Sequence, residues 1–353
     1  MNVVSVISSV LSVLLCSGAA QAEQTRKTQV VLISFDGDRD NDLWDRSLAL
    51  SAKTDAKFTY FLSCVNVLSK DNKAIYNAPE LMAGKSLGAG KGFGAGKGFG
   101  SGKSNVGFPE TRADVSVRLM NIWRAHLSGQ EIASHACGHF DGKDWSAAQW
   151  SQDFQSFNTI VADAWKTNDE PYEPKGWREF VAHDITGFRA PYLSTSAGLE
   201  QALLQKDFLY DASGVERDSA EPHIKSGIVR FGLPMIEEGP AQRRIISMDY
   251  NLFVRHSGGF PRHDEGGVFE QRTYEALMKA FNQQYSGPRH PFQFGLHFVL
   301  MNDGAYWKAL ERFTSEVCAK SDVECITYKD YAARVKLSPG LATKDVAAKR
   351  KGS

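Results

Sequence analysis

Short apolar runs alternate with amphipathic stretches along most of this chain. Positions 30–35 are apolar apart from one serine, as expected for a strand buried on both faces. Positions 42–56 then carry apolar residues at helical spacing, and 57–62 form a second strand-like run. A strand, a helix and a strand in this order favour parallel strands joined by a helix.

The same alternation continues to position 327. Further helices are predicted at 111–127, 147–165, 197–206, 271–285 and 306–317. Further strands are predicted around Ile132 and at 186–191, 208–210, 227–231, 244–248, 291–297 and 324–327. The pattern is typical of a barrel or a doubly wound sheet. Because polar clusters follow the ends of several strands, where barrel active sites form, we expect an α/β fold of the (β/α) barrel type.

The first 22 residues differ from the rest of the chain. Positions 3–18 are apolar or small without a charge, and 20–22 (Ala-Gln-Ala) fit a small-x-small cleavage site. This pattern predicts a secretory signal peptide cut near Ala22, and hence a periplasmic or extracellular protein. A lipoprotein signal centred on Cys16 is the weaker alternative, because bulky Leu15 precedes that cysteine.

One domain is expected over 23–337, with a glycine-rich insert at 84–104. Glycine at this density forfeits too much backbone entropy to form a stable element, so the insert is predicted to be a surface loop. A phosphate cradle is disfavoured, since no helix opens directly after a strand there. The lysine- and arginine-bearing tail 338–353 is predicted to be disordered.

Composition narrows the choice of partners. The 353 residues include 41 basic and 41 acidic side chains, so no overall charge favours nucleic acid or an anionic membrane. Beyond the signal peptide, no segment is long and apolar enough to span a membrane. The oligomeric state is left open by the sequence.

Four cysteines remain after the predicted cleavage, which is consistent with an exported chain. Cys318 and Cys325 are close in sequence and are expected to join a helix end to the next strand. Cys64 and Cys137 each follow a strand-like run, so a second disulfide and a pair of buried free thiols are both open.

Two histidines carry the most informative chemistry. His135 and His139 stand four residues apart, directly after a strand-like run. Two imidazoles at a strand end can share one metal ion, and a third oxygen ligand would leave positions open for water and substrate. Asp36 and Asp38, at the end of the first strand, are the candidates for that oxygen. The alternative is a pair of hydrogen-bonded structural histidines.

Further polar residues also follow strand-like runs. Arg189, beside a proline in a rigid turn, can hold a carboxylate in a fixed orientation, although a surface salt bridge is the alternative. His297 lies in an apolar setting and could equally be a core histidine with its hydrogen bonds satisfied. Asp249 ends another strand and could orient His297.

Taken in order, these motifs resemble those of the NodB-homology polysaccharide deacetylases, also called carbohydrate esterase family four. The resemblance covers about 30–328. The pair His135/His139 matches the family's His-x-x-x-His, and 189–192 (Arg-Ala-Pro-Tyr) matches its Arg-x-Pro-Tyr. Leu296-His297 is similar to its Leu-x-His without the spacer. The resemblance implies a single-domain, distorted (β/α) barrel.

It also implies an activity, which is hydrolysis of N-acetyl groups on a chitin- or peptidoglycan-like glycan. His135, His139 and an aspartate would hold a divalent metal ion, by expectation Zn²⁺, while Asp36 accepts the proton of water. The other implied roles are Arg189 orienting Asp36, the backbone N–H of Tyr192 stabilising an oxyanion, His297 protonating the leaving amine, and Asp249 tuning His297.

The chain departs from the family pattern at two motifs. Gly37 stands where the metal-binding aspartate is expected, so either Asp38 supplies that ligand after a one-residue shift or Asp36 takes the metal itself. Two stretches, 210–213 and 247–250, compete for the fourth motif. An esterase that removes O-acetyl groups from a glycan, and a non-catalytic glycan-binding barrel, are the alternative functions. Gly37 is the feature that favours the second.

Overall fold

The computed structural model describes residues 27–79 and 104–337. The predicted signal peptide and basic tail lie outside these residues, and so does the glycine-rich insert except for Ser104. In the described part, no helix is both long enough and apolar enough to cross a membrane.

Strands and helices alternate as the sequence predicts. The strands are β1 (Gln29–Asp36), β2 (Phe58–Leu62), β3 (Glu131–Ser134), β4 (Gly187–Phe188), β5 (Tyr210–Glu216), β6 (His223–Lys225), β7 (Ile228–Glu238), β8 (Arg243–Ile246), β9 (Phe292–His297) and β10 (Val323–Cys325). The helices are α1 (Asn41–Thr54), α2 (Arg112–Leu127), α3 (Ala147–Ala162), α4 (Ala164–Thr167), α5 (Trp177–His183), α6 (Ala197–Lys206), α7 (Asp249–Ser257), α8 (Val268–Ser286), α9 (Ala305–Val317) and α10 (Tyr328–Leu337).

Most of the sheet is parallel. Over its last four residues β1 pairs with both β2 and β9, which therefore lie on its opposite edges. The ladder continues from β2 through β3, β4 and β5 to β7, all parallel, while β6 and β8 pair with β7 in the antiparallel sense. Parallel pairing brings the carboxyl ends of these strands to one side of the sheet.

A short backbone link joins the two ends of this ladder. Gly295 of β9 pairs with Met248, just after β8, and its N–H donates to the carbonyl of Ser247 at 3.0 Å. The N–H of Ser247 donates in turn to the carbonyl of Pro234 in β7 at 2.9 Å. The sheet thus curves round without a continuous closing ladder, and the expected distorted barrel is confirmed.

The apolar run of β1 is buried on both faces. Val31, Ile33 and Phe35 belong to the core between the sheet and the helices. Val30 and Leu32 belong to a second core inside the barrel, which the side chain of Tyr328 joins from α10. Because side chains alternate along a strand, Asp36 has the same parity as Val30 and Leu32 and is directed into the barrel.

Cys64 pairs with Cys137, and Cys318 pairs with Cys325. Of the two alternatives that the sequence left for Cys64 and Cys137, the structure has the disulfide. The first bridge joins the chain after β2 to the chain after β3, and the second joins the end of α9 to β10.

Several boundaries differ from the predictions. The predicted helix 147–165 is interrupted near position 163, and the predicted strand 186–191 is ordered as β4 only at Gly187–Phe188. Past that strand the chain turns at Tyr192 and Leu193, which have left-handed φ values of 58° and 54°. The consequence is that the Arg-Ala-Pro-Tyr segment is a turn at the mouth of the barrel.

Candidate active site

Asp36 and Arg189 form a buried ion pair at the end of β1. Arg189 Nη1 lies 2.6 Å from Asp36 Oδ1, and both side chains are almost completely buried. The guanidinium also donates to Ser34 Oγ at 2.8 Å and to the hydroxyl of Tyr328 at 3.2 Å. A planar cation with this many fixed partners holds the carboxylate in one orientation.

The ion pair sets the charge of Asp36. Burial by itself favours the neutral carboxyl, but the positive charge of Arg189, with smaller contributions from the neighbouring imidazoles of His135 and His297, outweighs it. The pKa of Asp36 is therefore below its ordinary value. Asp36 is thus a carboxylate at neutral pH, with the two histidine motifs as its electrostatic neighbours.

His135 lies in the chain just after β3, and its tautomer is fixed by the backbone of Arg189. Its Nδ1 lies 2.8 Å from the carbonyl oxygen of Arg189, which can only accept, so Nδ1 carries the proton. Nε2 is then left as the basic nitrogen that can bind a metal. Burial lowers the pKa of His135, so its imidazole is neutral at neutral pH.

His139 completes the imidazole pair, with its ring centroid 4.9 Å from that of His135. Its Nδ1 is buried and, apart from its own backbone, has no hydrogen-bond partner among the residues that the structure describes. Burial, followed by the charges of His135 and His297, lowers the pKa of His139 to about 3. Two neutral imidazoles, one of them with an unpartnered buried nitrogen, are donors of the type that Zn²⁺ accepts.

Among the described residues, no third metal ligand lies beside His135 and His139. Within residues 27–79 and 104–337, no three His, Cys, Asp or Glu side chains lie close enough together to hold a metal ion. The two imidazoles therefore fit a divalent ion. The arrangement does not identify the carboxylate that would complete its ligands.

Asp38 is directed elsewhere. Its Oδ1 accepts from Asn66 Nδ2 at 2.6 Å, while its Oδ2 is buried and receives no hydrogen bond from the described part of the chain. Burial raises the pKa of Asp38 to about 6, against the opposing charge of Arg118. Of the two aspartates that the sequence offered as ligands, Asp36 is the one whose charge acts on both histidines.

Gly37 has a physical reason to be glycine. Its φ of 88° lies in the left-handed region, which side chains other than glycine adopt at a cost. Its N–H donates to the carbonyl of Phe61 at 3.0 Å, which fixes this turn against β2. The missing aspartate of the first motif thus coincides with a backbone conformation that disfavours a side chain.

His297 ends β9 in register with Asp36 on β1. Its Nδ1 lies 2.6 Å from Asp249 Oδ1, and its backbone N–H donates to Asp249 Oδ2 at 2.8 Å. Burial opposes a charge on the imidazole, but Asp249 outweighs burial and raises the pKa of His297 above its ordinary value. His297 is therefore a partly exposed imidazole that Asp249 predisposes to carry a proton.

Tyr192 forms the rim of the site. It is 43% exposed, and its ring centroid lies 5.1 Å from that of His139. The hydroxyl accepts from Asn105 Nδ2 at 3.3 Å, which links this turn to the chain that follows the glycine-rich insert. The aromatic face beside the imidazoles is accessible to a ligand.

Between the two stretches considered for the fourth motif, 247–250 is the one at His297. Asp211, in the other stretch, forms a buried ion pair with Arg230 at 2.8 Å. Asp211 also binds Ser213, whose Oγ accepts the N–H of Ala190 at 2.8 Å. The stretch 210–213 therefore supports the turn after Arg189.

Sequence reasoning missed the supporting residues Tyr328 and Asn66, and it assigned no separate role to Ser213 within the stretch 210–213. Tyr328 begins α10 and reaches Arg189 through the barrel, so nothing in its local sequence indicated a role. A role for Ser34 could have been predicted, because side chains alternate along β1 and Ser34 lies on the same face as Asp36.

No known family model and no curated protein matches this sequence. Solved structures do match. A protein described as a polysaccharide deacetylase from Mycobacterium smegmatis is 15% identical, with a TM-score of 0.53 over 88% of this chain and 91% of that one. One with the same description from Pseudomonas aeruginosa PAO1 is 12% identical, with a TM-score of 0.53 over 88% and 92%.

An allantoinase is 13% identical, with a TM-score of 0.51 over 88% of this chain and 92% of its own. At such identities the likeness establishes the fold, and two different activities occur on that fold. The reaction therefore depends on the residues of the site and does not follow from the fold.

Proposed function

We propose that this chain, which has the fold of the polysaccharide deacetylases, is a metal-dependent hydrolase that removes N-acetyl groups from an amino-sugar polysaccharide or oligosaccharide. The observation that carries the proposal is the meeting of three pairs at one end of the barrel. These pairs are Asp36–Arg189, His135–His139 and His297–Asp249. They provide a base, a metal-binding imidazole pair and an acid, which are the groups that amide hydrolysis needs.

In this proposal His135 and His139 hold a divalent ion, by expectation Zn²⁺, and an aspartate completes its ligands. When bound, such an ion would supply Lewis acidity, which would polarise the acetamide carbonyl and lower the pKa of bound water. Asp36 and Asp38 remain the two candidates for that aspartate. Zinc titration of the Asp36→Asn and Asp38→Asn variants distinguishes them, because only loss of the true ligand weakens binding by orders of magnitude.

If Asp38 is the metal ligand, Asp36 accepts the proton of the attacking water, because its depressed pKa keeps it ionised at neutral pH. Arg189 holds this carboxylate in place. The backbone N–H of Tyr192, in the turn at the rim, stabilises the developing oxyanion. His297 then protonates the departing amine, a role suited to its raised pKa, and Asp249 fixes the tautomer by holding Nδ1.

Acetate release from N-acetylglucosamine oligomers, with added Zn²⁺ and after chelation, tests the proposal. His135→Ala should abolish release. His263→Ala is the matched control, because His263 is highly exposed and lies outside the site. Equal rates in the wild type and His135→Ala would contradict the assignment.

A second candidate is a glycan-binding barrel without activity. It is favoured by the engagement of Asp38 with Asn66 and by the lack of a three-ligand cluster in the described residues. Oligosaccharide affinity in a protein that binds no metal and releases no acetate would support it. Acetylated xylan, included in the same screen, tests O-acetyl ester hydrolysis by the same groups.

Export is part of the proposal. Two disulfides are compatible with an oxidising compartment. If the signal peptide is cut as the sequence predicts, the protein recovered from outside the cytoplasm should begin at Glu23. An N-terminus at Met1 in that fraction would contradict it.

A further inference from the structure

A buried carboxylate lies under the loop that carries the imidazole pair. Asp153, on α3, is fully buried. Its Oδ2 accepts the N–H of Cys137 at 2.7 Å, and its Oδ1 accepts the hydroxyl of Tyr76 at 2.7 Å. Cys137 stands midway between His135 and His139. An anionic side chain is therefore bound to the centre of the segment that presents both imidazoles.

The loop has a strained backbone conformation that such an anchor helps to hold. Ala136 and His139 have φ values of 60° and 54°, in the left-handed region. Left-handed backbone costs about 1–2 kcal/mol for each residue other than glycine. Hydrogen bonds to an ionised acceptor are roughly twice as strong as neutral ones, so Asp153 can offset part of that cost.

Gly138 fits the same arrangement. Its N–H adds to that of Cys137 in stabilising the charged form of Asp153, so consecutive N–H groups surround the carboxylate. A Cβ at position 138 would lie 2.6 Å from the hydroxyl of Tyr76 and 2.5 Å from the ring of Phe140. Because glycine has no side chain, position 138 leaves room for the Tyr76 hydroxyl beneath the loop.

Asp153 is held by uncharged donors. Burial raises its pKa to about 6, and the opposing contributions come from Tyr76 and from the two backbone N–H groups. None of these three hydrogen bonds stabilises α3 itself, because all three donors belong to other segments of the chain. The contacts of Asp153 are instead directed at the histidine loop and at the residue that packs beneath it.

We propose that Asp153, supported by Tyr76, is a positioning residue that fixes the relative placement of His135 and His139 and thereby sets their affinity for a divalent ion. The metal part of this inference rests on the proposed function. The geometric part does not, because the contacts between Asp153 and the loop are independent of any ligand.

The test uses the full chain with Asp153→Asn, which keeps the side-chain size but replaces the carboxylate. Calorimetric titration of the chelator-treated protein with Zn²⁺ should show affinity weakened about ten-fold or more, as for other residues that orient metal ligands. In the metal-free protein labelled with ¹⁵N-histidine, the imidazole signals of His135 and His139 should shift, while that of His256 stays in place. Tyr76→Phe should act in the same direction with a smaller effect.

Glu131→Gln is the matched control. Glu131 on β3 is also a buried carboxylate with uncharged donors, namely the hydroxyls of Tyr210 and Thr59 and the N–H of Lys329. We expect this variant to lower the melting temperature about as much as Asp153→Asn does. Its zinc affinity and its His135 and His139 signals should equal those of the wild type.

A folded Asp153→Asn variant with wild-type zinc affinity and unshifted histidine signals would overturn the inference and leave a purely structural role. If that variant does not fold, the same two measurements on Tyr76→Phe decide. If the wild type binds no zinc, the metal role in the proposed function fails. The imidazole signals then still decide whether Asp153 fixes the histidine loop.

Discussion

Replacing Arg189 by methionine should reveal how the barrel stabilises its buried carboxylate. The methionine side chain retains much of the apolar stem and removes the cation, which is fully buried and lies 4.1 Å from the ring of Phe61. The guanidinium donates to four oxygens, those of Asp36, Ser34, Tyr328 and the backbone of Ala212.

The largest part of the loss comes from Asp36. Removing one partner of a buried ion pair leaves an uncompensated charge and costs about 3–5 kcal/mol. The hydroxyl oxygens of Ser34 and Tyr328 and the carbonyl oxygen of Ala212 each lose a donor as well, which costs less than leaving the charge of Asp36 unpaired. We therefore expect Arg189→Met to lower the free energy of unfolding by about 4 kcal/mol at pH 8, a large fraction of the roughly 5–15 kcal/mol typical of proteins.

The loss should depend on pH. In the wild type the pKa of Asp36 is depressed, so the pair stabilises the fold above the unfolded pKa and ceases to do so as pH falls through the folded one. Without Arg189, burial dominates and the folded pKa rises above the unfolded value. The cost of the buried, unpaired carboxylate then applies above that raised pKa and is relieved below it. The free energy of unfolding of the variant should therefore lie closer to that of the wild type at pH 5 than at pH 8.

Urea unfolding at the two pH values measures this, in a double-mutant cycle with Asp36→Asn. The double variant has no unpaired charge, so it should be more stable than Arg189→Met alone by more than about 1 kcal/mol. Additive losses, or a loss for Arg189→Met that is the same at both pH values, would refute the reasoning that Arg189 acts chiefly by neutralising Asp36.

Two further predictions concern other contacts. Asp249→Asn removes the charge that raises the pKa of His297, so the alkaline limb of the pH profile for acetate release should move to lower pH; an unmoved limb would argue against His297 as the acid. The bridge between Cys64 and Cys137 closes a loop with a sequence separation of 73, so replacing both by serine should lower the free energy of unfolding by about 4 kcal/mol in the chain-entropy model, measured by urea unfolding without reductant. A loss below about 1 kcal/mol would contradict that model.

Local patterns determined the order of elements and the identity of the site motifs. The run 30–35 predicted a buried strand because both of its faces are covered, by the helices on one side and by the barrel interior on the other. Asp36, Arg189 and His297 could be selected because each follows such a run. Parallel strands present their carboxyl ends together, so residues far apart in sequence were expected to meet.

Elements and contacts that depend on residues far away in the sequence could not be predicted in this way. The helix α10 and the strand β6 are too short or too polar to give a clear period, and their conformation depends on what they pack against. The link between Met248 and Gly295 joins segments 47 positions apart, and the local pattern of neither segment indicates the other.

The site divides along the same line. The sequence by itself determined which groups are present: two imidazoles, an arginine, an acid with its histidine, and two aspartates near the first strand. Only the tertiary structure decided how they are used. In the fold, Asp38 is hydrogen-bonded to Asn66 and Asp36 is paired with Arg189. A backbone carbonyl determines which nitrogen of His135 carries the proton. Side-chain identity is local, whereas orientation and charge depend on neighbours that only the fold brings within hydrogen-bonding distance.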